Sequence, residues 1–413
     1  MLLSLAVSSG DTDTPATGLV AKSRYLSAEF ADAERQHLWS RVWLHAAAKE
    51  LVAEPGQFVA LELGGTDVLV IRGKDNRVRA FHNVCLHRGR RLVDDNHGQR
   101  ETLRCPLHHW HWQLNGDLGD VPGRAGFAEL LDEPIKLHEL ACDTWAGHVF
   151  VHLGVPEQSL SDWLAPATHA LERYSLADYA LRDQKTYDVP CNWKALADLF
   201  NEAYHVAAVH PYLLGSVDSS SLQATLHGLH AEQVFAIGQP GTPDSDTTPT
   251  AALIELVEAA GADPAELQGD ARRAPELMRR ALRDRGLTSL DDEELLQGRS
   301  WFLFPSHTLN VYAHGLMLQR FRPHPSDPQR AWMDQLTYAR VAADSPAEAP
   351  RVSYHVKPGG ENTGQVTEDD LRQAIQVQRG MRSAGFESLR LSEHERVLLH
   401  MHRGIDRYLP GED

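Results

Sequence analysis

Two of the chain's four cysteines stand in the stretch CLHRGRRLVDDNHGQRETLRCPLHHWHW, Cys85 to Trp112, and each is followed at short range by a histidine. The pattern is Cys-x-His, seventeen intervening residues, then Cys-x-x-His. No other feature of the 413 residues constrains the fold as strongly, because two thiols and two imidazoles meet at one point only if both segments are tight turns held side by side. Structural zinc sites generally take paired cysteines from one knuckle and paired histidines from another; here each knuckle is mixed. Four cysteines are also too few for a disulfide framework in a chain of this size.

The segments around the motif, from QFVALELGGTDVLVIRGKDNRVRAF to GHVFVHLG, are short, rich in Val and Phe, and broken by Gly, Asp and Asn, which reads as strands and turns. They predict a small β domain over residues 42–156, preceded by an N-terminal helical segment, 1–41, that packs on the second domain. A mixed Cys/His pair on each of two loops of a β domain suits a Rieske [2Fe-2S] centre, in which one iron takes two thiolates and the other two histidines. Residues 157–413 read as a second, mixed domain. AALIELVEAAGADPAELQ and APELMRRALRDRGL carry helical spacing, WFLFP, TLNVYA, LMLQRFRP and AWMDQLTYARV read as antiparallel strands, and TEDDLRQAIQVQRGMRSAGF reads as a helix capped by Thr367. The stretch GQPGTPDSDTTPT, from Gly238 to Thr250, reads as a loop.

A second constellation lies in CNWKALADLFNEAYHVAAVHPY, which offers Glu202, His205 and His210 as E-x-x-H-x4-H. On an ideal helix at about 100° per residue, positions 205 and 210 point about 140° apart, so one metal can take both only where the helix distorts or ends. Pro211 supplies the cause, since the residue before a proline is pushed out of the α region. Two histidines and one carboxylate with open positions form the facial triad that binds Fe(II).

NVCLHRG followed by CPLHHWHWQLNGDL resembles the Rieske domain of the Rieske non-heme iron oxygenases, which include ring-hydroxylating dioxygenase α subunits and demethylases. The resemblance covers nearly the whole chain, from YLSAEFADAERQHLWSRVW to LSEHERVLLHMHRGIDRYL. It implies an α+β fold: an all-β Rieske domain and a helix-grip catalytic domain with an antiparallel sheet and helices. It implies that Cys85, His87, Cys105 and His108 hold the cluster, that His205 and His210 bind mononuclear Fe(II), and that Asp370, with Asp369 as fallback, supplies the carboxylate. Glu202 takes the place of the acid that bridges a cluster histidine of one subunit to an iron histidine of the next in a head-to-tail homotrimer, and the chain length leans toward α3. Two positions depart from the family pattern: His109 stands where Gly is usual, and Glu202 where Asp is, the latter shared with members acting on quaternary amines. Electrons are implied to come from NAD(P)H through a ferredoxin or flavin reductase.

Composition narrows the partners. A formal charge of −17 disfavours nucleic acid and anionic membranes, and the apolar start MLLSLAV is too short for a span or a secretory signal and has no basic region before it, so the expected location is cytoplasmic. Cys142 and Cys191 read as small buried hydrophobes, Trp110 and Trp112 as packing around the cluster, and Asp198, Asn201 and Tyr204 as neighbours of the iron or ordinary helix positions. Leu213, Leu214, Phe235, Phe302, Leu309, Val311 and Leu316 are pocket candidates. The leading expectation is a terminal oxygenase hydroxylating an aromatic or other apolar molecule. The alternative is a monooxygenase oxidising or demethylating a quaternary ammonium compound. A third reading is an electron carrier with one metal site, and His205, His210 and Asp370 speak against it.

Overall fold

The computed structural model describes residues 6–8, 14–239, 247–341, 348–360 and 363–410; residues 240–246 of the expected loop lie outside them. Contacts divide the chain into two compact units, Met1–Ala33 with Leu164–Asp413, and Glu34–Trp163. The expected limits fell after residues 41 and 156; the division falls after 33 and 163, the first inside the helix Ala28–His37.

The smaller unit is built on an antiparallel sheet of seven strands among the described residues, in the order Trp43–Ala48, His148–His152, Glu139–Trp145, Val78–His82, Thr66–Arg72, Gln57–Leu63 and His97–Gln99. Its core gathers Phe58, Leu69, Ile71, Phe81 and Trp112 together with Cys85 and Cys105. The cysteines are therefore part of the hydrophobic interior, and burial of the surrounding apolar area is what holds the two loops in register.

The larger unit carries a nine-stranded sheet among the described residues. Its centre runs antiparallel through Val217–His227, His230–Ile237, Gln297–Leu303, His307–Val311, Gly315–Pro323, Ala331–Arg340 and Tyr179–Val189. The strands read from WFLFP, TLNVYA, LMLQRFRP and AWMDQLTYARV all occur. Thr250 caps the helix Ala251–Ala260, which Gly261 ends in the left-handed region at φ 95°, and Ala274–Asp284 follows as expected. One detail differs: the helix Gln365–Met381 starts two residues before Thr367, so Thr367 does not cap it. Its hydroxyl is drawn instead to Gln335 Oε1, 2.9 Å away on the sheet, a tertiary bond that outcompetes the local cap.

Cross-strand register sorts the sheet's two faces, since directly paired residues share a face and neighbours along a strand alternate. Phe302 pairs with Thr308, and Thr308 with Gln319. Thr308 Oγ1 donates to Asn201 Oδ1 at 3.0 Å and Gln233 Nε2 donates to the Asn201 carbonyl at 2.9 Å, so this face meets the helix Trp193–Phe200. Phe235, paired with Gly298, lies on the same face. Leu309 and Val311 alternate with Thr308, and Leu316 pairs with Val311, so these three pocket candidates lie on the opposite face.

The opposite face is organised by charge. Asp334, 1% exposed, accepts from Arg320 Nε at 2.7 Å, Arg322 Nε at 2.6 Å and Thr186 Oγ1 at 2.6 Å. Burial pushes its carboxyl up, but the two guanidiniums outweigh that and hold it well below the usual carboxylate range. A carboxylate depressed on folding stabilises above its unfolded value, about 3.9, and loses that contribution as pH falls below it. Asp334→Ala is expected to destabilise the larger unit by about 3–5 kcal/mol, the scale for breaking a buried ion pair. Urea unfolding at neutral pH measures it, and a change below about 1 kcal/mol contradicts it.

Candidate metal centres

The two Cys/His loops share one local geometry. Gly89 N–H donates to the Cys85 carbonyl at 3.0 Å and His109 N–H to the Cys105 carbonyl at 3.0 Å, so each turn closes on the fourth residue after its cysteine. Both closing residues are left-handed, Gly89 at φ 74° and His109 at φ 56°. That conformation explains why Gly is the easy choice at position 109. The histidine there is steadied by Arg104 Nη2, which lies 3.0 Å from its Nδ1.

The loops bring their histidines together, with ring centroids of His87 and His108 4.6 Å apart. His87 stacks on Trp110 at 4.7 Å and meets the edge of Phe127. Its Nδ1 is buried without a hydrogen-bond partner, which is how a nitrogen reserved for a metal presents itself. Burial pushes the Cys85 thiol up, opposed by the His87 backbone N–H. His108 is exposed. Two buried thiols and two adjacent imidazoles, one with an orphaned nitrogen, fit a [2Fe-2S] group of the mixed type.

The second constellation is assembled across the larger unit. The helix Trp193–Phe200 begins at Asn192, whose side chain accepts from Lys194 N–H, and stops at Asn201. A short helix, Val206–Val209, follows, with His205 before it and His210 after it; His210 sits at φ −119°, ψ 51°. Both histidines thus lie outside regular helix, as the geometry of x4 spacing and Pro211 requires. Ligand atoms of His205, His210 and Asp370 all lie within 4.8 Å of one another.

Hydrogen bonds fix which ring atoms face inward. Glu202 Oε1 lies 2.5 Å from His205 Nδ1, and Oε2 accepts from the His205 backbone N–H at 3.1 Å. Tyr212 donates to Asp369 Oδ2 at 3.1 Å, so its oxygen accepts from His210 Nδ1, also at 3.1 Å. Burial and Asp369 both raise the Tyr212 hydroxyl, which therefore keeps its proton. With Nδ1 engaged on each ring, both Nε2 atoms face Asp370 Oδ1, 2.8 Å from His210 and 3.4 Å from His205. Three potential ligand atoms converge on one point, where a metal ion or a ring proton can be shared among them. Of the two adjacent acids, Asp370 meets the rings, while Asp369 is bound to Tyr212 and Arg372. Glu202 lies at the far edge of the His205 ring from Asp370.

Tyr212 was missed in the sequence; a tyrosine two residues after the second histidine was the available signal. Asn201 caps the preceding helix and ties it to the sheet, and Tyr204, 55% exposed, stacks flat on His394 at 5.5 Å. Cys191 is buried and Cys142 half-buried.

Residues 176–411 match the ring hydroxylating alpha subunit catalytic domain, and residues 42–134 match the Rieske [2Fe-2S] domain. The chain belongs to the ring-hydroxylating α-subunit family of Rieske oxygenases. Membership implies two cofactors, a Rieske [2Fe-2S] cluster and a mononuclear non-heme iron. The chain is 32% identical over 190 residues to the glycine betaine monooxygenase oxygenase subunit of Pseudomonas aeruginosa, covering 46% of this chain and 44% of that protein. It is 28% identical over 217 residues to the carnitine monooxygenase oxygenase subunit of Acinetobacter pittii, covering 52% and 57%. The chain thus spans about half the length of the curated relatives it matches. A crystal structure of a quaternary ammonium Rieske monooxygenase in complex with an inhibitor superposes with a TM-score of 0.71 at 19% identity, covering 98% of this chain and 100% of that one, which shows the shared fold. Among the described residues no helix is long and apolar enough to cross a membrane.

Metal uptake at the second centre is expected to compete with a proton. Burial alone lowers His205, but bonds to Asp370 and Glu202 outweigh it and raise the ring to about 10. A divalent ion must displace that proton, so affinity rises with pH by about tenfold per unit until the ring is deprotonated without metal. Ferrous iron titration of iron-depleted protein at about pH 6 and about pH 8 checks this; equal affinities contradict it.

Proposed function

We propose that the chain is the terminal oxygenase component of a Rieske system, with Cys85, His87, Cys105 and His108 holding the cluster and His205, His210 and Asp370 the mononuclear iron. The observation that carries this is the convergence of three acceptor atoms in the larger unit of a chain that also has a mixed Cys/His double loop. When bound, the cluster supplies single electrons and the Fe(II) site supplies the place where O2 and substrate react. The chain's own residues do the positioning. Glu202 holds the His205 ring through both of its carboxylate oxygens, Tyr212 and Asp369 hold His210, and each pair leaves the inner nitrogen bare. The exposed His108 is the group that Glu202 of a neighbouring copy reaches in a head-to-tail homotrimer. Electrons come from NAD(P)H through a ferredoxin or flavin reductase, and the enzyme works in the cytoplasm.

The substrate class we propose is a methylated quaternary ammonium compound. Leu309, Val311 and Leu316, on which an apolar pocket partly rested, lie on the sheet face away from the helix Trp193–Phe200, and the face toward it carries Gln233, Ser300, Thr308 and Gln319 beside Phe235 and Phe302. Amides and aromatic rings suit a solvated cation better than a hydrocarbon. Glu202 and the glycine betaine and carnitine relatives favour the same class. An arene substrate keeps one observation in its support, the two phenylalanines on that face. Oxygen uptake with reductant should be stimulated by trimethylammonium compounds and coupled to an aldehyde and a dealkylated amine; stimulation by arenes alone, with a hydroxylated ring as product, reverses the choice.

The roles of the two carboxylates separate in variants. Glu202→Gln should retain about three irons per chain and a reducible cluster while turnover falls at least about tenfold, the scale for groups that orient metal ligands. Asp370→Asn should lose the mononuclear iron and keep the cluster. Iron analysis with single-turnover cluster oxidation reads both, and iron lost from the first variant but kept by the second shows the assignments to be exchanged.

A further inference from the structure

The helix that leads into the Glu202–His205 turn is held from behind by a chain of side chains that the metal site does not use. Tyr25, wholly buried, donates its hydroxyl to Asp198 Oδ2 at 2.6 Å. The Tyr25 hydroxyl oxygen also lies 2.8 Å from His402 Nε2. His402 Nδ1 accepts from Arg24 Nε at 3.1 Å, and Arg24 is fixed in turn by Asp406 Oδ1 at 2.6 Å and by the ring of Phe30 at 4.7 Å. The outer end of the chain opens on a groove of ≈ 880 Å³ lined by Arg24, Phe30, Leu399, His402, Arg403 and Asp406.

The polarity of this chain is determined by its first member. Arginine only donates, so Nδ1 of His402 must be its acceptor, the ring proton must sit on Nε2, and that proton must point at Tyr25. Tyr25 is left with its own proton for Asp198. Every donor runs one way, from Arg24 to His402 to Tyr25 to Asp198. A proton wire is thereby disfavoured, because His402 cannot take a proton at Nδ1 without breaking the Arg24 bond. Burial holds the His402 ring below its ordinary value against the pull of Asp198, with Arg24 and Lys194 adding to burial. Lys194 also lies 5.8 Å from the Tyr25 ring.

Asp198 is joined to the metal-bearing turn through the backbone. Its carbonyl accepts from Asn201 N–H at 3.2 Å, closing the helix one residue before Glu202. At the other end of the helix, Asn192 N–H donates to Gln378 Oε1 at 2.9 Å on the helix that carries Asp370. We infer that Arg24, His402 and Tyr25 are positioning residues for the mononuclear centre: the N-terminal segment and the C-terminal helix together pin Asp198, and through it the turn that presents His205. The inference rests on the reading of His205, His210 and Asp370 as a metal site.

Cobalt(II) binding to the iron-depleted full chain, read by visible absorption, tests it without turnover. Wild type should bind one ion at this centre and His205→Ala should not. Tyr25→Phe, which keeps the ring and removes only the hydroxyl, should weaken cobalt binding about tenfold, as should Asp198→Leu. The double variant should be no weaker than Asp198→Leu alone, since both changes cut the same chain. Should Asp198→Leu fail to fold, His402→Phe interrupts the chain one bond further out and takes its place in the cycle. A Tyr25→Phe effect that is absent, or that is undiminished in the second background, overturns the positioning role while leaving the metal site standing. Unchanged cobalt binding in His205→Ala overturns both.

Discussion

The catalytic unit is organised around an electrostatic problem, the meeting of His205 Nε2, His210 Nε2 and Asp370 Oδ1 at one buried point. Two ring nitrogens and a carboxylate oxygen compete there for positive charge, and in a medium of low polarity a carboxylate left without it is costly. The surrounding structure keeps the arrangement in place by engaging the outer nitrogen of each ring, with Glu202 on one and Tyr212 on the other. Burial lowers the His205 ring, but Asp370 and Glu202 outweigh that and raise it to about 10, so a metal ion and a proton compete for the same nitrogen. Chemistry that needs a cation is thus written into the protein's own charges before any ion binds.

The two centres solve the same task by different means. In the smaller unit the donors come from two short loops with the same closing hydrogen bond, and the hydrophobic core around Cys85 and Cys105 sets their spacing. In the larger unit the donors come from a broken helix and from a helix 160 residues further on, so tertiary packing alone brings them together. A local motif tolerates a poor residue if a neighbour compensates, as Arg104 does for the left-handed His109. The dispersed centre has no such local reserve, and its geometry depends on how the helix Trp193–Phe200 is held.

What could be read in the sequence follows that distinction. The double loop, the E-x-x-H-x4-H turn and the strand runs were legible because their information is local: spacing, alternation and a proline. Asp370 was proposed through the family pattern, with the adjacent Asp369 as fallback; what separates them in the structure is that Asp370 meets both histidine rings while Asp369 is engaged by Tyr212 and Arg372. The pocket was least legible. Leu309, Val311 and Leu316 were candidates from their order along the chain, but sheet register decides the face, and a period of two places them with Trp301 and Arg299 on the far side. Thr367 failed as a cap for a related reason, since a partner on a distant strand competed for its hydroxyl.

The polar character of the near face has its own physical logic. Gln233 and Thr308 cannot be exchanged for apolar residues without freeing the carbonyl and side chain of Asn201, which end the helix Trp193–Phe200. Buried acceptors left without donors cost about 1–3 kcal/mol each, so the sheet must present amides and hydroxyls where it meets that helix. The same groups that close the helix therefore set the polarity of this face. The polarity of this sheet face is thus coupled to helix termination, because it follows from how the helix Trp193–Phe200 ends at Asn201.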